Sequence, residues 1–385
     1  MVTGNEQLTR QSWNILVIDD SKLSRAIVNK TLSALNMTIT EAEDGLDGLE
    51  KLKNQPFDLI LVDIIMPNLD GFGFLERFPH HVGDDFVPVI LMTGSDDLNS
   101  KIKGLSIGAD DFLLKPLNEK ELVARVMSLL RLKNTHDELY EKNLIIKKEL
   151  EYAKRLQTYI IPENFEFVSY PSVRGRYLPI ADIGGDLFDS YILDEHKTGI
   201  VIADVTGHGI PAALVMTMSK MIFSIYAPEY DTASGLMSKV NDEMRGLLLD
   251  MQYITAFYII YDSQTGILNF TNAGHTRPLF YRRKTGKVMA LDTNGLFIGI
   301  MDDTYYEEKS IRVEKGDRLI LYTDGITEHK NEQKEEFGEK RLARYVREHG
   351  DLHGDNFCDG LLEELENFYT LNNRTDDIAF VYVEF

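Results

Sequence analysis

Short apolar runs alternate with amphipathic stretches over the first third of the chain. Five of the runs have the pattern of strands, and several are almost continuous in apolar residues: WNILVIDD, MTITEA, FDLILVDI, VPVILMTG and DDFLLKP. Such continuity is typical of strands that a parallel sheet buries on both faces. The stretches between them, for example 22–35 and 46–53, have the pattern of helices. The alternation predicts an α/β doubly wound domain with a five-stranded parallel sheet over residues 13–132.

A charged segment over residues 129–161 contains no glycine or proline and repeats a seam at steps of three and four. The seam consists of Leu129, Leu132, His136, Leu139, Asn143, Ile146, Leu150, Ala153, Gln157 and Ile160. A polar Asn in such a seam is typical of two-stranded coiled coils. The pattern fits either an amphipathic helix that lies on a domain or a parallel coiled coil. We expect a helical coiled-coil linker over 133–162 that joins two copies as a parallel homodimer.

Beyond Pro162 the pattern changes to alternating runs separated by turn residues, which predicts antiparallel strands. These runs are SVRGRYLPI, TGIVIADV, YITAFYIIYD, GILNFTNAG, PLFYRRKTG, DRLILYTDG and DDIAFVYVEF. Helical patterns interrupt them near 211–227, 233–249 and 338–369. The layout predicts an α+β domain over residues 163–385.

Composition narrows the classes of function. The chain has 385 residues and a formal net charge of −21, which argues against binding nucleic acid phosphates and suits divalent cations. The single cysteine, Cys358, excludes an intramolecular disulfide and a cysteine-rich zinc site. No apolar run reaches the ~18 residues that span a bilayer, and the beginning MVTGNEQLTRQSWN lacks the apolar core of a signal peptide. We expect a cytoplasmic protein that binds neither nucleic acid nor membrane.

Acidic residues follow the predicted parallel strands, Asp19 and Asp20 after the first and Asp63 after the third. Ligand sites in open α/β sheets lie at these strand ends. Three converging carboxylates repel one another unless a hard cation joins them, and an all-oxygen site suits Mg²⁺. Thr93 after the fourth strand and Lys115 after the fifth add a hydroxyl and an ammonium that suit a phosphoryl group.

This set of residues, in this order, resembles the receiver domain of two-component response regulators. The matching segments are VIDDS, LVDIIMPNLDG, LMTG and LLKP, and Phe112 occupies the switch-aromatic position three residues before the lysine. The resemblance implies that Asp63 accepts a phosphoryl group from a histidine kinase and holds Mg²⁺ together with Asp19 and Asp20. It also implies that Thr93 and Lys115 contact the phosphoryl group.

Acidic residues also end strand-like runs in the second half of the chain. They are Asp186 in ADIGGDLFD, Asp204 in IADVTGHG, Asp324 in LYTDGITE, and Asp376 and Asp377 in NRTDDIAF. Each alone fits a turn, but four such positions favour a shared carboxylate site for Mg²⁺ or Mn²⁺. Two such ions can activate a water for in-line attack on a phosphate ester.

These segments resemble the PPM-type metal-dependent serine/threonine phosphatases, and in particular the bacterial branch that regulates sigma factors by partner switching. The segments TNAGHTRPLFY, GLFIGI and YAKRLQTYIIP support the resemblance. It implies an α-β-β-α sandwich with two Mn²⁺ or Mg²⁺ ions between the sheets. The implied metal ligands are Asp186, Asp204, the Val205 carbonyl, Asp324 and Asp376, with Asp376 preferred to Asp377 by motif alignment.

Other polar residues of these motifs are candidates for a supporting role: Asp377, His208, Asn272 and His275. His208 fits both a proton donor to the leaving oxygen and a structural imidazole in a glycine-flanked turn. Thr206 lacks the partner base and orienting group that a threonine nucleophile requires, so we interpret it as a turn or helix-start hydroxyl.

Together, the two resemblances imply a phosphorylation-controlled response regulator that dephosphorylates phosphoserine or phosphothreonine on a partner protein. The implied partner is a STAS-type anti-sigma-factor antagonist. The alternative is a non-catalytic adaptor whose phosphorylation changes binding to a sigma factor, an anti-sigma factor or a protease. The intact acidic positions favour the enzyme. A DNA-binding output is disfavoured by the acidic balance and by the lack of a helix-turn-helix pattern after the receiver.

Overall fold

The computed structural model describes residues 12–78, 81–82, 85–94, 98–161, 165, 170–180, 183–249, 252–369 and 376–385. Contacts within the chain define two compact units, with the boundary in sequence between Lys147 and Lys148. Each unit has its own buried core. The units are therefore described separately.

The first unit contains a five-stranded parallel sheet with the strand order β2-β1-β3-β6-β7. Its elements are β1 (Trp13–Ile18), α1 (Lys22–Ser33), β2 (Met37–Ala42), α2 (Gly45–Asn54), β3 (Leu59–Asp63), α3 (Gly71–Arg77), β4 (His81–Val82), β5 (Asp85–Phe86), β6 (Val89–Thr93), α4 (Leu98–Ile107), β7 (Asp111–Leu114) and α5 (Glu119–Ile160). The predicted doubly wound domain is confirmed. The small hairpin formed by β4 and β5 was not predicted.

The central strands of this sheet are buried on both faces, as their continuous apolar pattern predicts. In β1, Leu16 and Ile18 join one apolar cluster, whereas Ile15 and Val17 join the other. Because the strands are parallel, their carboxyl ends lie along one edge of the sheet. This arrangement places Asp19, Asp63 and Thr93 at that edge, where each strand ends.

Helix α5 is 42 residues long and includes the predicted seam. Leu132, Leu139 and Ile146 of the seam are about half exposed. Gln157, by contrast, is 7% exposed, and its side chain bonds to Gly184 of the second unit, to which Gln157 itself belongs. The prediction that Gln157 continues a seam facing a second chain is therefore wrong, because this polar side chain is satisfied within its own domain.

The second unit contains two five-stranded antiparallel sheets, ordered β15-β12-β11-β10-β9 and β14-β13-β16-β17-β8. The strands are β8 (Ser172–Leu178), β9 (Leu187–Ile192), β10 (Lys197–Val205), β11 (Ile254–Asp262), β12 (Ile267–Ala273), β13 (Leu279–Arg282), β14 (Lys287–Ala290), β15 (Glu308–Arg312), β16 (Arg318–Tyr322) and β17 (Ile378–Glu384). The helices are α6 (Ile210–Tyr226), α7 (Ala233–Arg245), α8 (Asp324–Thr327), α9 (Gly338–Glu348) and α10 (Gly354–Phe368). A single 3₁₀ turn, Ala227–Glu229, follows α6.

Four layers result from this arrangement. Helices α6 and α7 pack on the first sheet, and α9 and α10 pack on the second. In β16, Leu319 and Leu321 join the core shared with the first sheet, while Ile320 and Tyr322 join the core under α9 and α10. The predicted α-β-β-α sandwich is confirmed. The helical block predicted near 338–369 is two helices, and β9, β14 and β15 were not predicted.

One helical stretch among the described residues, Ile210–Glu229, is long and apolar enough to cross a membrane by length and composition alone. The sequence predicted no stretch of this length and apolar character. Ala212, Val215, Met216 and Phe223 of this stretch are buried in the core of the second unit. A helix that covers one face of a sheet meets the same two criteria, so the stretch is explained by its packing.

Truncation of Leu321 tests the core between the two sheets. Leu321→Ala should lower the free energy of unfolding by about 2–5 kcal/mol, because it removes buried methyl groups and leaves a cavity. Ile225→Ala is the control, since Ile225 is 56% exposed on α6, and it should cost less than about 1 kcal/mol. Urea denaturation followed by circular dichroism measures both, and equal losses would contradict the layered core.

Candidate functional site

Three carboxylates meet at the carboxyl edge of the parallel sheet. Ligand oxygens of Asp19, Asp20 and Asp63 all lie within 4.8 Å of one another. The ammonium of Lys115 joins two of them, with Nζ 2.7 Å from Asp19 Oδ2 and 2.5 Å from Asp63 Oδ2. The structure therefore brings together the acidic residues and the lysine that the sequence predicts for one site.

Burial and neighbouring charges both shift the pKa values at this edge. Burial raises the pKa of Asp63, and the nearby Asp19 raises it further, although Lys115 acts in the opposite direction. Burial lowers the pKa of Lys115, but its bonds to Asp19 and Asp63 outweigh that effect and raise it. An uncompensated negative charge and an all-oxygen donor set fit a hard divalent cation such as Mg²⁺.

The two remaining predicted receiver residues lie on β6 and β7. Thr93 is buried at the end of β6, where its backbone carbonyl accepts a 2.8 Å hydrogen bond from the Lys115 N–H. The ring of Phe112 lies 4.5 Å from Lys101 Nζ and 5.4 Å from the guanidinium carbon of Arg125. Phe112 is half-buried, and its ring lies near one cationic side chain of α4 and one of α5.

In the second unit, the predicted acidic residues lie where neighbouring strands begin and end. Asp204 is the penultimate residue of β10, and Asp186 immediately precedes β9, the antiparallel neighbour of β10. In the other sheet, Asp324 follows β16, and Asp376 lies just before its neighbour β17. The ends of strands from both sheets thus carry the four residues.

Burial and the charges of neighbouring carboxylates both act on this acidic cluster. Burial raises the pKa of Asp204 to about 7, with further repulsion from Asp324 and Asp376. Burial and repulsion from Asp376 raise the pKa of Asp324 to about 6. Burial and the charge of Asp204 raise the pKa of Asp186 well above its usual value. The negative charge of each carboxylate thus disfavours ionisation of its neighbours, as in a site that binds cations.

The donor set of this cluster fits divalent cations that prefer oxygen. The Val205 carbonyl oxygen lies beside Gly185, 3.1 Å from the position that a Cβ would occupy there. Within the described residues, however, the receiver triad is the one group of three or more possible metal-ligating side chains packed within 4.8 Å. The second set of carboxylates is therefore spread more widely than the receiver triad.

Asp376 and Asp377 have different surroundings. The Oδ1 of Asp377 accepts a 2.7 Å bond from the Ile180 N–H, and its Oδ2 accepts a 2.8 Å bond from the Gly185 N–H. Asp376 is exposed, and its charge raises the pKa of both Asp204 and Asp324. The geometry gives Asp377 a loop-holding role, and both residues contribute negative charge to the carboxylate cluster.

Two residues beside the cluster were missed by sequence reasoning. The Thr323 hydroxyl donates a 2.8 Å bond to Asp186 Oδ2 and accepts a 3.0 Å bond from the Ala379 N–H. The Tyr177 hydroxyl lies 3.5 Å from Asp377 Oδ2. Thr323 directly precedes Asp324 in LYTDG, but one hydroxyl beside an acid is too common a pattern to identify a site.

Thr206 and His208 lie in the turn that follows Asp204. The Thr206 hydroxyl donates to the Tyr253 carbonyl and accepts from the Tyr253 N–H, both at 3.1 Å, which is a structural role. His208 is exposed, and its charge lowers the pKa of Asp376, so its imidazole lies near the cluster.

Asn272 and His275 organise a buried turn. Asn272 Oδ1 accepts a 2.7 Å bond from the His275 N–H, and Asn272 Nδ2 donates a 3.1 Å bond to the His275 carbonyl. The Nδ1 of His275 lies 2.8 Å from the Thr255 hydroxyl. Burial lowers the pKa of His275 to about 3, so the imidazole is neutral at ordinary pH.

The buried, neutral His275 predicts a stability that depends on pH. Its folded pKa lies below the ordinary value of 6.5, so the unfolded chain binds the proton more tightly. The stabilisation is fully present above pH 6.5 and is lost as the pH falls, by about 1.4 kcal/mol per pH unit. Unfolding in urea at several pH values should show a shallower loss in His275→Gln than in the wild type. The exposed His196→Gln should keep the wild-type slope, and identical slopes in all three proteins would contradict the prediction.

Residues 194–385 match the family Stage II sporulation protein E (SpoIIE), and residues 15–127 match the response regulator receiver domain. The second region is similar to phosphoserine phosphatase RsbU of Bacillus subtilis (strain 168), with 28% identity over 225 residues, 58% of this chain and 64% of RsbU. The first is similar to the probable transcriptional regulator ycf27 of Porphyridium aerugineum, with 38% identity over 121 residues, 31% of this chain and 49% of that protein. The chain thus spans about half to two thirds of these curated relatives.

Among solved structures, the SiaA-PP2C domain of Pseudomonas aeruginosa is similar, with a TM-score of 0.57 and 21% identity. The similarity covers 63% of this chain and 98% of that domain, and at this identity it shows the fold alone. The fold, the strand-end carboxylates and the family matches agree. The N-terminal domain of this chain belongs to the response regulator receiver family, and its C-terminal domain belongs to the SpoIIE family of PPM-type phosphatase domains.

Proposed function

We propose that this protein is a response regulator whose output is the metal-dependent dephosphorylation of phosphoserine or phosphothreonine on a partner protein. One observation carries the proposal. Carboxylates from four separate segments lie at strand ends of the two packed sheets, and burial and mutual repulsion raise the pKa values of Asp186, Asp204 and Asp324. The name of the similar RsbU, a phosphoserine phosphatase, supports the substrate class.

Two Mn²⁺ or Mg²⁺ ions fit these residues. Asp204 would bridge both ions, with the Val205 carbonyl as a neighbouring ligand. Asp186 would hold the first ion, and Asp324 and Asp376 the second. When bound, the ions supply a water of lowered pKa as the nucleophile. The count of two ions is what the resemblance to the PPM-type phosphatases implies.

The chain's own residues hold the site and handle the leaving group. Thr323 fixes the carboxylate of Asp186, and Asp377 fixes the backbone of Gly185. These bonds limit the movement of carboxylates that repel one another. His208, which is exposed in the turn after Asp204, would protonate the oxygen of serine or threonine as the phosphate leaves.

The receiver domain would accept the input signal. A histidine kinase or another phosphodonor transfers a phosphoryl group to Asp63, at a site where Asp19, Asp20 and Asp63 hold Mg²⁺. Lys115, which already joins Asp19 and Asp63, and the Thr93 hydroxyl would contact the transferred group. Phe112, held between Lys101 and Arg125, is the side chain that would respond.

The linker over 133–162, between a receiver over 13–132 and a phosphatase over 163–385, would join two copies as a parallel homodimer. The exposed seam residues Leu132, Leu139 and Ile146 support this interface, since apolar side chains at heptad spacing pack well against a second helix. The partner substrate would be a phosphorylated STAS-type anti-sigma-factor antagonist, and the reaction would take place in the cytoplasm.

Hydrolysis of p-nitrophenyl phosphate in the presence of Mn²⁺ tests the proposed activity. Asp204→Ala should lower the rate by about a hundredfold or more, since losing a metal ligand costs at least as much as losing an outer hydrogen bond to one. Asp231→Ala serves as the control, because the Asp231 side chain is 94% exposed and pairs only at the surface. It should hydrolyse at the wild-type rate.

Two outcomes would contradict the proposal. Equal rates in Asp204→Ala and the wild type would remove Asp204 from the site. A wild-type protein that hydrolyses no phosphoserine or phosphothreonine substrate with Mn²⁺ or Mg²⁺, with or without phosphorylation at Asp63, would favour the non-catalytic adaptor.

Insertions after Asn143 test transmission through the helix. Two extra residues rotate everything beyond them by about 200° relative to the residues before, whereas seven keep the heptad register. We expect the ratio of phosphatase activity with and without phosphorylation at Asp63 to collapse to one after the two-residue insertion. The seven-residue insertion should retain the wild-type ratio. Activity that still follows Asp63 phosphorylation in the first variant would contradict rigid transmission.

A further inference from the structure

The end of helix α5 contacts the loop that carries Asp186. The side-chain amide of Gln157 donates a 2.8 Å hydrogen bond to the Gly184 carbonyl, and its oxygen accepts a 3.2 Å bond from the Gly184 N–H. Gln157 is 7% exposed, although the residues on either side of it, Leu156 and Thr158, are exposed. One buried side chain therefore satisfies both backbone groups of a single glycine.

The glycine held in this way is packed tightly against the candidate metal site. A Cβ at Gly184 would lie 2.1 Å from both Asp377 Oδ2 and the Tyr177 hydroxyl, so a larger residue fits only if those side chains shift. The next residue, Gly185, donates its N–H to Asp377 and lies against the Val205 carbonyl. The one after that is Asp186. A shift of Gly184 would therefore move one candidate ligand directly and disturb the surroundings of another.

The helix that carries Gln157 is anchored at the same place. Ile161, one turn after Gln157, is 3% exposed and belongs to the core of the sandwich, as does Phe165. Phe165 also contacts the ring of Phe188 in β9, with 6.2 Å between ring centroids. The end of α5 is therefore fixed to the phosphatase core, and Gln157 connects it to the loop of Asp186.

We infer that Gln157 is a positioning residue for the phosphatase site. It holds the Gly184–Gly185–Asp186 backbone in the arrangement that presents Asp186 and the Val205 carbonyl to a divalent cation, and it ties that arrangement to the position of helix α5. The inference rests on the proposed function and adds to it the contact, between Gln157 and Gly184, through which helix α5 would act on the metal site. A helix that turns or slides at residue 157 would break both hydrogen bonds to Gly184.

Gln157→Met tests the inference, because methionine has a similar length and no hydrogen-bonding amide. Binding of Mn²⁺, followed by electron paramagnetic resonance, should weaken by about tenfold, within the range seen when outer contacts to metal ligands are lost. The Mn²⁺ concentration for half-maximal hydrolysis should rise by the same factor, and saturating Mn²⁺ should restore most of kcat. Arg155→Met is the matched control, since Arg155 is exposed on the same helix. It should behave like the wild type.

Hydrogen exchange at the Gly184 amide gives a second measurement, and its wild-type value alone already tests the inference. The Gly184 amide should be protected, and in a folded Gln157→Met variant it should exchange at least about tenfold faster. Unchanged Mn²⁺ binding in Gln157→Met, or rapid exchange of the Gly184 amide in the wild type, would overturn the inference. A wild-type protein that binds Mn²⁺ but hydrolyses nothing would instead overturn the proposed function, and the binding comparison would still decide the role of Gln157.

Discussion

Repulsion between partly buried carboxylates is the constraint on which the phosphatase domain depends. Burial and neighbouring charges raise the pKa of Asp204 to about 7 and that of Asp324 to about 6. Side chains under such repulsion move apart unless the backbone that carries them is rigid. Here they lie at the ends of paired strands in two packed sheets, and the buried hydroxyl of Thr323 fixes Asp186. The sandwich thus provides the stiffness, and cations would remove the repulsion.

In the receiver domain, a lysine partly compensates the negative charge of the carboxylates. Lys115 lies between Asp19 and Asp63, so an internal cation already offsets part of the repulsion. In the phosphatase domain, the neighbouring charges that raise the pKa of Asp204 are carboxylates. The receiver site can therefore keep its carboxylates within 4.8 Å of one another, while the proposed phosphatase site would depend more strongly on metal ions for its arrangement.

The sequence predicted the elements whose pattern reflects burial. Continuous apolar runs identified the parallel strands, and acidic residues at the strand ends identified the receiver triad that the structure brings together. The phosphatase metal ligands stay a prediction. Strand β15 was missed because its sequence, EKSIR, forms the edge of a sheet and is largely exposed, so it lacks the apolar alternation of a buried strand. Thr323 and the loop-holding role of Asp377 were missed because their partners are backbone groups and acids far away in the sequence, which no local pattern reveals.

At Gln157, the heptad periodicity alone does not determine which group the polar side chain contacts. A polar residue in an apolar seam has two physical explanations, a partner on a second helix or a buried hydrogen-bonding group in its own chain. The seam register is the same in both cases, so the sequence cannot distinguish them. The structure provides the second explanation at Gln157, while Leu132, Leu139 and Ile146 remain about half exposed. One continuous helix therefore exposes apolar side chains in its middle and holds the loop of Asp186 at its end. Pairing of the exposed part would constrain the rotation of the part that contacts Gly184, because a helix transmits twist along its axis far better than a flexible linker does.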